Sequence, residues 1–296
     1  MRPGHFGVLR TDRLAKMNDS PNVSYPPTRC GTRELVWGTR TYIMGIINMT
    51  PDSFSGDGLA DDVEAALRLA RGMVAQGADI VDLGGESTRP GHTAVSVDEE
   101  LRRVVPAVRR LSRELPVPIS IDTSKAEVAR QSLEAGASMV NDVWGLTRDP
   151  DIAAVAARHG VPVVLMHNQE TTQYQDVVQD VIAWLRERVR LALAAGIAAH
   201  NIVVDPGIGF GKTPQQNLEV LRRLSELKTI GHPILLGTSR KSTIGKLLNL
   251  PPDERIEGTA ATVAIGIANG ADIVRVHDVQ EMCRVARVSD AIVRWR

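Results

Sequence analysis

Short apolar runs alternate with longer amphipathic segments through most of the chain, from residue 41 onwards. Eight runs rich in Val, Ile and Leu predict β-strands, at Tyr42–Asn48, Asp79–Gly84, Ile119–Asp122, Met139–Val143, Pro162–His167, Ile202–Asp205, Ile234–Thr238 and Asp272–Val276. The clearest segments with helical spacing are Asp61–Gln76, Val97–Glu114, Ser124–Ala135 and Asp176–Ala195. Helix-ending glycines stand at Gly77, Gly136, Gly160, Gly196 and Gly270. Because continuously apolar strands are buried on both faces, the pattern predicts a parallel sheet covered by helices.

Eight strands alternating with helices over about 250 residues are typical of a (β/α)8 TIM barrel. A doubly wound open sheet would have fewer strands and usually a glycine fingerprint after the first one, where this chain has NMTPDSFSGDG. Residues 1–40 contain four prolines and little periodicity, which predicts a loose N-terminal extension with a short strand at Glu34–Trp37. We therefore expect an irregular extension over 1–40 and a single α/β barrel domain over 41–296.

Composition excludes several classes of protein. Hydrophobic residues make up 43% of the chain, which is incompatible with a disordered protein. The 35 basic and 35 acidic residues cancel, so there is no overall attraction to nucleic acid or an anionic membrane. The two cysteines have no metal-ligand spacing, and no apolar run approaches the roughly 20 residues of a membrane span. These features predict a soluble, cytoplasmic protein.

Every predicted strand ends in polar residues, and the C-terminal strand ends of such barrels form the active site. In strand order they are Asn48, Asp82 with Glu86–Pro90, Asp122, Asn141 with Asp142, His167 with Asn168, Asp205, Ser239–Ser242, and Arg275 with His277. Taken singly, Asp122 could be a helix N-cap, Asp205 a turn residue and His167 a packing residue. Eight polar strand ends at one rim indicate a binding site, because desolvating each group costs free energy.

The residue types at this rim favour particular ligands. Carboxylates and an amide suit a planar heterocycle with an amino group and a ring N–H, and Lys241 adds a donor. Glycines at 207, 209 and 211 would let a flat ligand approach the backbone, whereas Pro206 excludes a P-loop. Asn48, Arg275 and His277 lie on strands that closure makes adjacent, and they suit a diphosphate. Ser242, at the start of a helix, suits a carboxylate.

Seven motifs together resemble the dihydropteroate synthases of the pterin-binding barrel family. They are MGIINMTPDSFSGDG (44–58), DLGGESTRPG (82–91), SIDTSK (120–125), ND (141–142), DPGIGFGKT (205–213), GTSRKS (237–242) and RVHDV (275–279). The resemblance covers residues 41–296. It implies condensation of 6-hydroxymethyl-7,8-dihydropterin diphosphate with 4-aminobenzoate, assisted by Mg²⁺, in folate synthesis. It also implies a homodimer that associates through the last helices.

The resemblance also implies a role for individual residues. The catalytic set is Asp122, Lys241, Arg275 and His277. The pterin would contact Asp122, Asn141, Met166, Asp205, Gly209, Phe210 and Lys241. The 4-aminobenzoate pocket would comprise Phe54, Thr88, Arg89, Pro90, Lys241 and Ser242. The diphosphate would contact Asn48, Arg89, Arg275 and His277, with Asn48 also on the metal.

Three positions depart from the usual family pattern: Asp57 is displaced by one residue, Asn168–Glu170 replaces a common loop sequence, and Trp144 is unusually bulky. Two alternatives remain open at this point. One is a methyltetrahydrofolate-binding methyltransferase module, which would lack the Ser-Arg-Lys-Ser and Thr-Arg-Pro segments. The other is a non-catalytic pterin-binding paralogue, which would have lost Asp205, Lys241 or Arg275.

Overall fold

The computed structural model describes residues 25–50, 59–86 and 95–294. Their strands are β1 (Thr28–Cys30), β2 (Arg33–Leu35), β3 (Tyr42–Asn48), β4 (Ile80–Gly84), β5 (Ile119–Asp122), β6 (Met139–Asp142), β7 (Val163–Met166), β8 (Ile202–Asp205), β9 (Leu235–Leu236) and β10 (Ile273–Val276). The helices are α1 (Leu59–Gln76), α2 (Val97–Glu114), α3 (Ala126–Ala135), α4 (Asp151–His159), α5 (Val177–Ala194), α6 (Pro214–Arg222), α7 (Ser242–Leu248), α8 (Ile256–Ala268) and α9 (Val279–Val293).

Strands β3 to β10 form a parallel barrel, so the predicted (β/α)8 fold is confirmed. Each strand from β3 to β7 pairs with the next, and β10 pairs with both β3 and β9. A parallel bridge between Val204 and Ile234 joins β8 to the segment before β9 and brings the sheet close to full closure. The predicted strand Ile234–Thr238 is only two residues long in the structure, because its later residues enter a turn.

Two apolar layers follow from the alternation of side chains along each strand. One set of strand residues, including Val81, Ile121 and Val274, packs outward against the helices. The other set points into the barrel and includes Ile80, Met139, Val164, Val203 and Ile273 near the strand starts. The interior is thus a packed apolar floor beneath the C-terminal strand ends.

A hairpin of β1 and β2 covers the N-terminal end of the barrel. Its residues Cys30 and Leu35, together with Trp37, belong to the same buried cluster as the barrel floor. The strand expected over Glu34–Trp37 corresponds to β2, and its partner β1 was not predicted. The Trp37 indole donates from Nε1 to Thr28 Oγ1 at 3.0 Å, which satisfies its polar group in this buried setting.

Among the described helices, none has the length and apolarity that crossing a membrane requires.

Candidate active site

Strand register brings the predicted site residues to one rim. Asn48 lies opposite Gly84, Gly84 opposite Asp122, and Asp122 opposite Asn141. Asp205 is paired in register with Met166 at the other side of the barrel. Because alternate residues of a strand face the same way, inward-facing polar side chains at the C-terminal strand ends lie directly beyond the inward-facing apolar side chains of the barrel floor.

An ion cluster occupies the centre of this rim. Arg275 on β10 donates from Nε to Asp82 Oδ2 at 2.6 Å and from Nη2 to Asp122 Oδ2 at 2.7 Å. Asn141 Nδ2 donates to the same Asp82 oxygen at 3.0 Å. Asp82 is fully buried, and its Oδ1, like Oδ1 of Asp122, has no partner among the described residues. Two acceptor atoms are therefore left for a ligand or water.

Burial dominates the acid strengths of the rim carboxyl groups. Desolvation raises the pKa of Asp122, although the positive charge of Arg275 lowers it, and the neighbouring Asp82 raises it further. Desolvation likewise raises the pKa of Asp205 to about 6, against a backbone hydrogen bond from Gly207 and the charge of Lys241. Carboxyl groups that titrate near neutrality in a cleft are typical of functional sites.

Asp142 has a different role from its neighbour Asn141. Its carboxylate accepts from the backbone N–H of Trp144 at 2.9 Å and of Leu146 at 2.6 Å. Leu146 has a φ of 67°, an unfavourable conformation for a side chain of this size. Asp142 therefore stabilises a tight turn after β6 rather than facing the rim.

The glycine-rich segment after β8 closes one side of the site. Gly207 donates its N–H to Asp205 Oδ1 at 2.7 Å, and Gly209 donates to Asn217 Oδ1 at 2.8 Å. A Cβ at Gly207 would lie 1.9 Å from the carbonyl oxygen of His167, and the residue has a φ of 67°. Only glycine meets both requirements, so this glycine serves chain packing.

Phe210 and Lys241 meet beside that segment. The Lys241 ammonium lies 4.1 Å from the centroid of the Phe210 ring, a cation–π geometry. A Cβ at Gly209 would lie 3.0 Å from Lys241 Cδ, so the glycine makes room for the lysine stem. The predicted pterin contacts Gly209, Phe210 and Lys241 are thus brought together, with Asp205 on the adjoining strand.

The SRKS turn, which we define as Ser239–Ser242, is joined to the end of β10. Ser239 Oγ lies 2.9 Å from His277 Nδ1 and accepts from the His277 backbone N–H at 3.1 Å. Arg240 is ion-paired with Asp278, donating from Nε at 3.0 Å. Burial and the charge of Arg275 lower the pKa of His277 to about 4, so its imidazole is neutral at pH 7.

Arg255 supports the SRKS turn from behind. Its Nη1 donates to the carbonyl oxygens of Arg240 at 2.9 Å and Lys241 at 3.3 Å, and its Nε and Nη2 donate to that of Leu250. Arg240 has a φ of 56°, so the turn holds a conformation that a non-glycine residue seldom adopts. Helix α7 then begins at Ser242, as expected.

Some predicted residues lie outside the part of the chain that the structure describes. These are Phe54, Asp57, Thr88, Arg89 and Pro90. Glu86, the last described residue before Thr88, Arg89 and Pro90, is ion-paired with Lys125, which also pairs with Glu100.

Sequence reasoning gave no site role to three residues of this rim. Asp82 was recognised as a polar strand end but not as the partner of Arg275. Ser239 is likewise one of the predicted polar strand ends without an assigned contact, and Lys212 lies in the DPGIGFGKT motif without a predicted role. The alternation Ile80-Asp82-Gly84 was the available signal for Asp82, since it places the carboxylate on the inner side of β4.

Comparison with known proteins identifies the class. Residues 44–277 match the family of pterin binding enzymes. A Clostridium beijerinckii dihydropteroate synthase is 52% identical over 267 residues, covering 90% of this chain and 99% of that protein. The structure of Xanthomonas albilineans dihydropteroate synthase with 4-aminobenzoic acid matches with a TM-score of 0.86 and 43% identity, covering 91% and 98% of the two chains. The structure of the same enzyme in complex with 7,8-dihydropteroate matches with a TM-score of 0.83 and 41% identity, covering 90% of this chain and 98% of that chain.

Fold, rim and family match define a pterin-binding enzyme built on a (β/α)8 barrel. Within that class, the chain belongs to the dihydropteroate synthase family. The predicted transferase of folate synthesis is thereby confirmed, and the relatives favour it over the methyltransferase module and the non-catalytic paralogue.

Proposed function

We propose that this rim condenses 6-hydroxymethyl-7,8-dihydropterin diphosphate with 4-aminobenzoate to give 7,8-dihydropteroate and diphosphate. The observation that carries the proposal is the sharing of Arg275 by Asp82 and Asp122 beside Asn141. A guanidinium, two carboxylates and an amide at one buried point provide both hydrogen-bond donors and acceptors for a polar heterocycle. The structures of relatives with 4-aminobenzoic acid and 7,8-dihydropteroate support this choice of substrates.

The pterin ring is proposed to lie over the rim, with its polar edge toward the buried carboxylates. Unpartnered Oδ1 of Asp122 can accept from the ring system, and the Lys241 ammonium can donate to it. The residues assigned to this pocket are Asp122, Asn141, Met166, Asp205, Gly209, Phe210 and Lys241. Met166 and Phe210 supply apolar surface, which suits the faces of a flat ring.

The diphosphate is proposed to lie between β3 and β10. Asn48, at the end of β3, is partly exposed, and Arg275 and His277 follow on the neighbouring strand. Arg89 is assigned here too, from outside the described residues. Arg275 donates to the two carboxylates from Nε and Nη2, and its Nη1 can donate to an anion while those bonds are kept.

Asn48 is a chemically suitable ligand for Mg²⁺, because its amide oxygen is a hard donor and a diphosphate would supply further oxygens. The described residues contain no group of three His, Cys, Asp or Glu side chains placed to hold a metal. The donor set therefore fits an ion that arrives with the diphosphate. When bound, Mg²⁺ would neutralise part of the leaving group's charge.

The chemistry needs no side-chain nucleophile. The C–O bond to the diphosphate breaks, and its electron pair leaves with the diphosphate, whose charge Arg275 and neutral His277 stabilise. The methylene cation that remains is conjugated with the pterin and stabilised electrostatically by Asp122. The amine nitrogen of 4-aminobenzoate then forms the new C–N bond and releases a proton. Arg275 assists by favouring the ionised form of Asp122.

The second substrate is assigned to the outer part of the site. Lys241 and Ser242 border it among the described residues, and Phe54, Thr88, Arg89 and Pro90 complete the assignment. Ser242 is exposed at the start of α7, where its hydroxyl is available to a carboxylate.

A coupled assay of the purified protein tests the proposal. Dihydropterin diphosphate, 4-aminobenzoate and Mg²⁺ are supplied, and dihydropteroate and diphosphate are both quantified. Lys241→Ala should abolish turnover, while Lys246→Ala, which changes an exposed lysine on α7, should not. Equal amounts of both products in the wild type are expected. Pterin binding without turnover would contradict the proposed reaction, and turnover unaffected by Lys241→Ala would contradict the proposed site.

We also propose a homodimer formed through α8 and α9. Val279, Met282 and Ala286 on α9 are buried against the barrel, so they are not available to a partner. Val288 and Ile292, one turn apart on α9, are 62% and 74% exposed, and Ile265 on α8 is 52% exposed. Light scattering should give twice the chain mass, and Ile292→Glu should shift it toward the monomer. A cytoplasmic location stays a prediction from the sequence.

A further inference from the structure

Lys212 is a buried cation next to the site. It lies at the end of the glycine-rich segment, is 8% exposed, and does not belong to the site as assigned so far. Its Nζ lies 2.9 Å from His167 Nδ1 and donates to the carbonyl oxygens of Gly207 and Phe210, both at 3.1 Å. An ammonium group has three N–H donors, and here it meets three acceptors, so the buried charge is fully hydrogen-bonded.

The contact with His167 fixes the state of that imidazole. When Lys212 is protonated, its ammonium cannot accept a hydrogen bond, so Nδ1 of His167 is then the unprotonated nitrogen and Nε2 carries the proton. Burial and the charge of Lys212 lower the pKa of His167 to about 3, which agrees with a neutral ring. The ring is held by an edge contact with Trp184 at 4.9 Å between centroids. His167 is therefore a rigid acceptor at the end of β7.

The two carbonyl oxygens that Lys212 binds belong to residues that shape the site. Gly207 donates its N–H to Asp205 Oδ1, while its C=O accepts from Lys212. Phe210, whose C=O also accepts from Lys212, presents its ring to the Lys241 ammonium. One ammonium thus ties together the backbone that orients a carboxylate and the backbone that carries an aromatic wall.

Charge adds to this effect. Burial is the largest influence on Lys212 and lowers its pKa to about 7, while the negative charge of Asp205 raises it and the positive charge of Lys241 lowers it further. The positive charge of protonated Lys212 in turn favours the ionised form of Asp205. Asp205 is 4% exposed, so water screens this attraction little. Removing Lys212 would therefore change both the loop backbone and the ionisation of Asp205.

We propose that Lys212 is a positioning residue for the pterin pocket, fastening the Gly207–Phe210 loop to His167 so that Asp205 and Phe210 face the pterin. The inference rests on the proposed function, because it assigns that loop to the pterin substrate. It predicts a selective defect. Affinity for the pterin substrate should fall, whereas affinity for 4-aminobenzoate, assigned to the other side of Lys241, should not.

The test compares Lys212→Met with Lys246→Met in the full chain. Both remove a lysine charge and keep an unbranched side chain, but Lys246 is exposed on α7. Steady-state kinetics should show KM for the dihydropterin diphosphate raised about tenfold, equivalent to about 1.4 kcal/mol, in Lys212→Met alone. KM for 4-aminobenzoate should change less than about twofold in both variants. A smaller fraction of active enzyme would lower the apparent kcat and leave both KM values unchanged.

Amide hydrogen exchange gives a readout that does not depend on turnover. In ligand-free Lys212→Met, peptides covering residues 205–213 should exchange faster than in the wild type, and peptides from α2 should not. If Lys212→Met does not fold, His167→Phe is the second variant, because it removes one acceptor of Lys212 but keeps a ring on Trp184. It should raise KM for the dihydropterin diphosphate by a smaller factor and leave KM for 4-aminobenzoate unchanged. Equal changes in both KM values, or unchanged exchange in 205–213, would overturn the proposal. If the wild type shows no turnover, but residues 205–213 still exchange faster in Lys212→Met than in the wild type, the proposed function is refuted and the positioning role of Lys212 is not.

Discussion

The ion cluster predicts that Arg275→Met destabilises the protein in a pH-dependent way. Arg275 is 16% exposed and is the shared counterion of two nearly inaccessible carboxylates, Asp82 and Asp122. Removing one partner from a buried ion pair costs about 3 to 5 kcal/mol, because the remaining charges are left uncompensated. We expect a loss of stability of this size at about pH 8.5, where the Asp122 carboxyl of the wild type is ionised.

The sign of the pH dependence follows from Asp122. Burial raises the pKa of its carboxyl to about 7, although Arg275 lowers it, so the folded wild type binds this proton more readily than the unfolded chain. Its contribution to stability is therefore lost as pH rises from about 4 to about 7, and is constant above that. Without Arg275 the pKa is higher still, so the variant continues to lose about 1.4 kcal/mol per pH unit above 7.

Urea unfolding at about pH 6 and about pH 8.5 measures the effect. The difference in free energy of unfolding between wild type and Arg275→Met should be about 2 kcal/mol larger at the higher pH. Arg222→Met is the control, because Arg222 is 73% exposed in its pair with Glu219, so its loss should change the stability little at either pH. A loss that is independent of pH, or larger at pH 6, would refute the electrostatic reasoning.

Three further predictions test other parts of the site. Gly207→Ala should lower the free energy of unfolding by about 3 kcal/mol, and Gly160→Ala by about 1, because both have positive φ but only the first meets a carbonyl oxygen; equal urea midpoints would contradict this. Arg255→Met should lower kcat about tenfold by loosening the SRKS turn beneath Lys241, and an unchanged kcat would argue against that support. Cys30 is fully buried, and burial raises the pKa of its thiol to about 12, so a thiol reagent at pH 8 should modify it only after unfolding.

The barrel and the positions of Asp122, Asn141 and Asp205 on one rim could be predicted from the sequence. Parallel strands in a barrel end at the same side, so polar residues at strand ends converge whatever the loops do. The same reasoning cannot say which way a strand-end residue faces when two polar residues are adjacent. Asn141 points to the rim and Asp142 to a turn, and only the register of β6 decides between them.

Side-chain pairs between residues far apart in the chain could not be predicted from the sequence. Arg275 meets Asp82 across 193 positions, and Lys212 meets His167 across 45, through side-chain directions that no local pattern encodes. The β1 strand was missed for a related reason. It is three residues long and gains its stability from the barrel floor rather than from its own composition.

The β1–β2 hairpin makes the barrel interior accessible from one side only. Its Cys30, Leu35 and Trp37 seal the floor, so solvent reaches the rim carboxylates from the mouth and not through the barrel. A reactive cation formed above that floor would meet competing water from a single direction. In the proposed reaction, the intermediate would therefore need shielding from water at the mouth of the barrel alone, because the buried hairpin closes the opposite end.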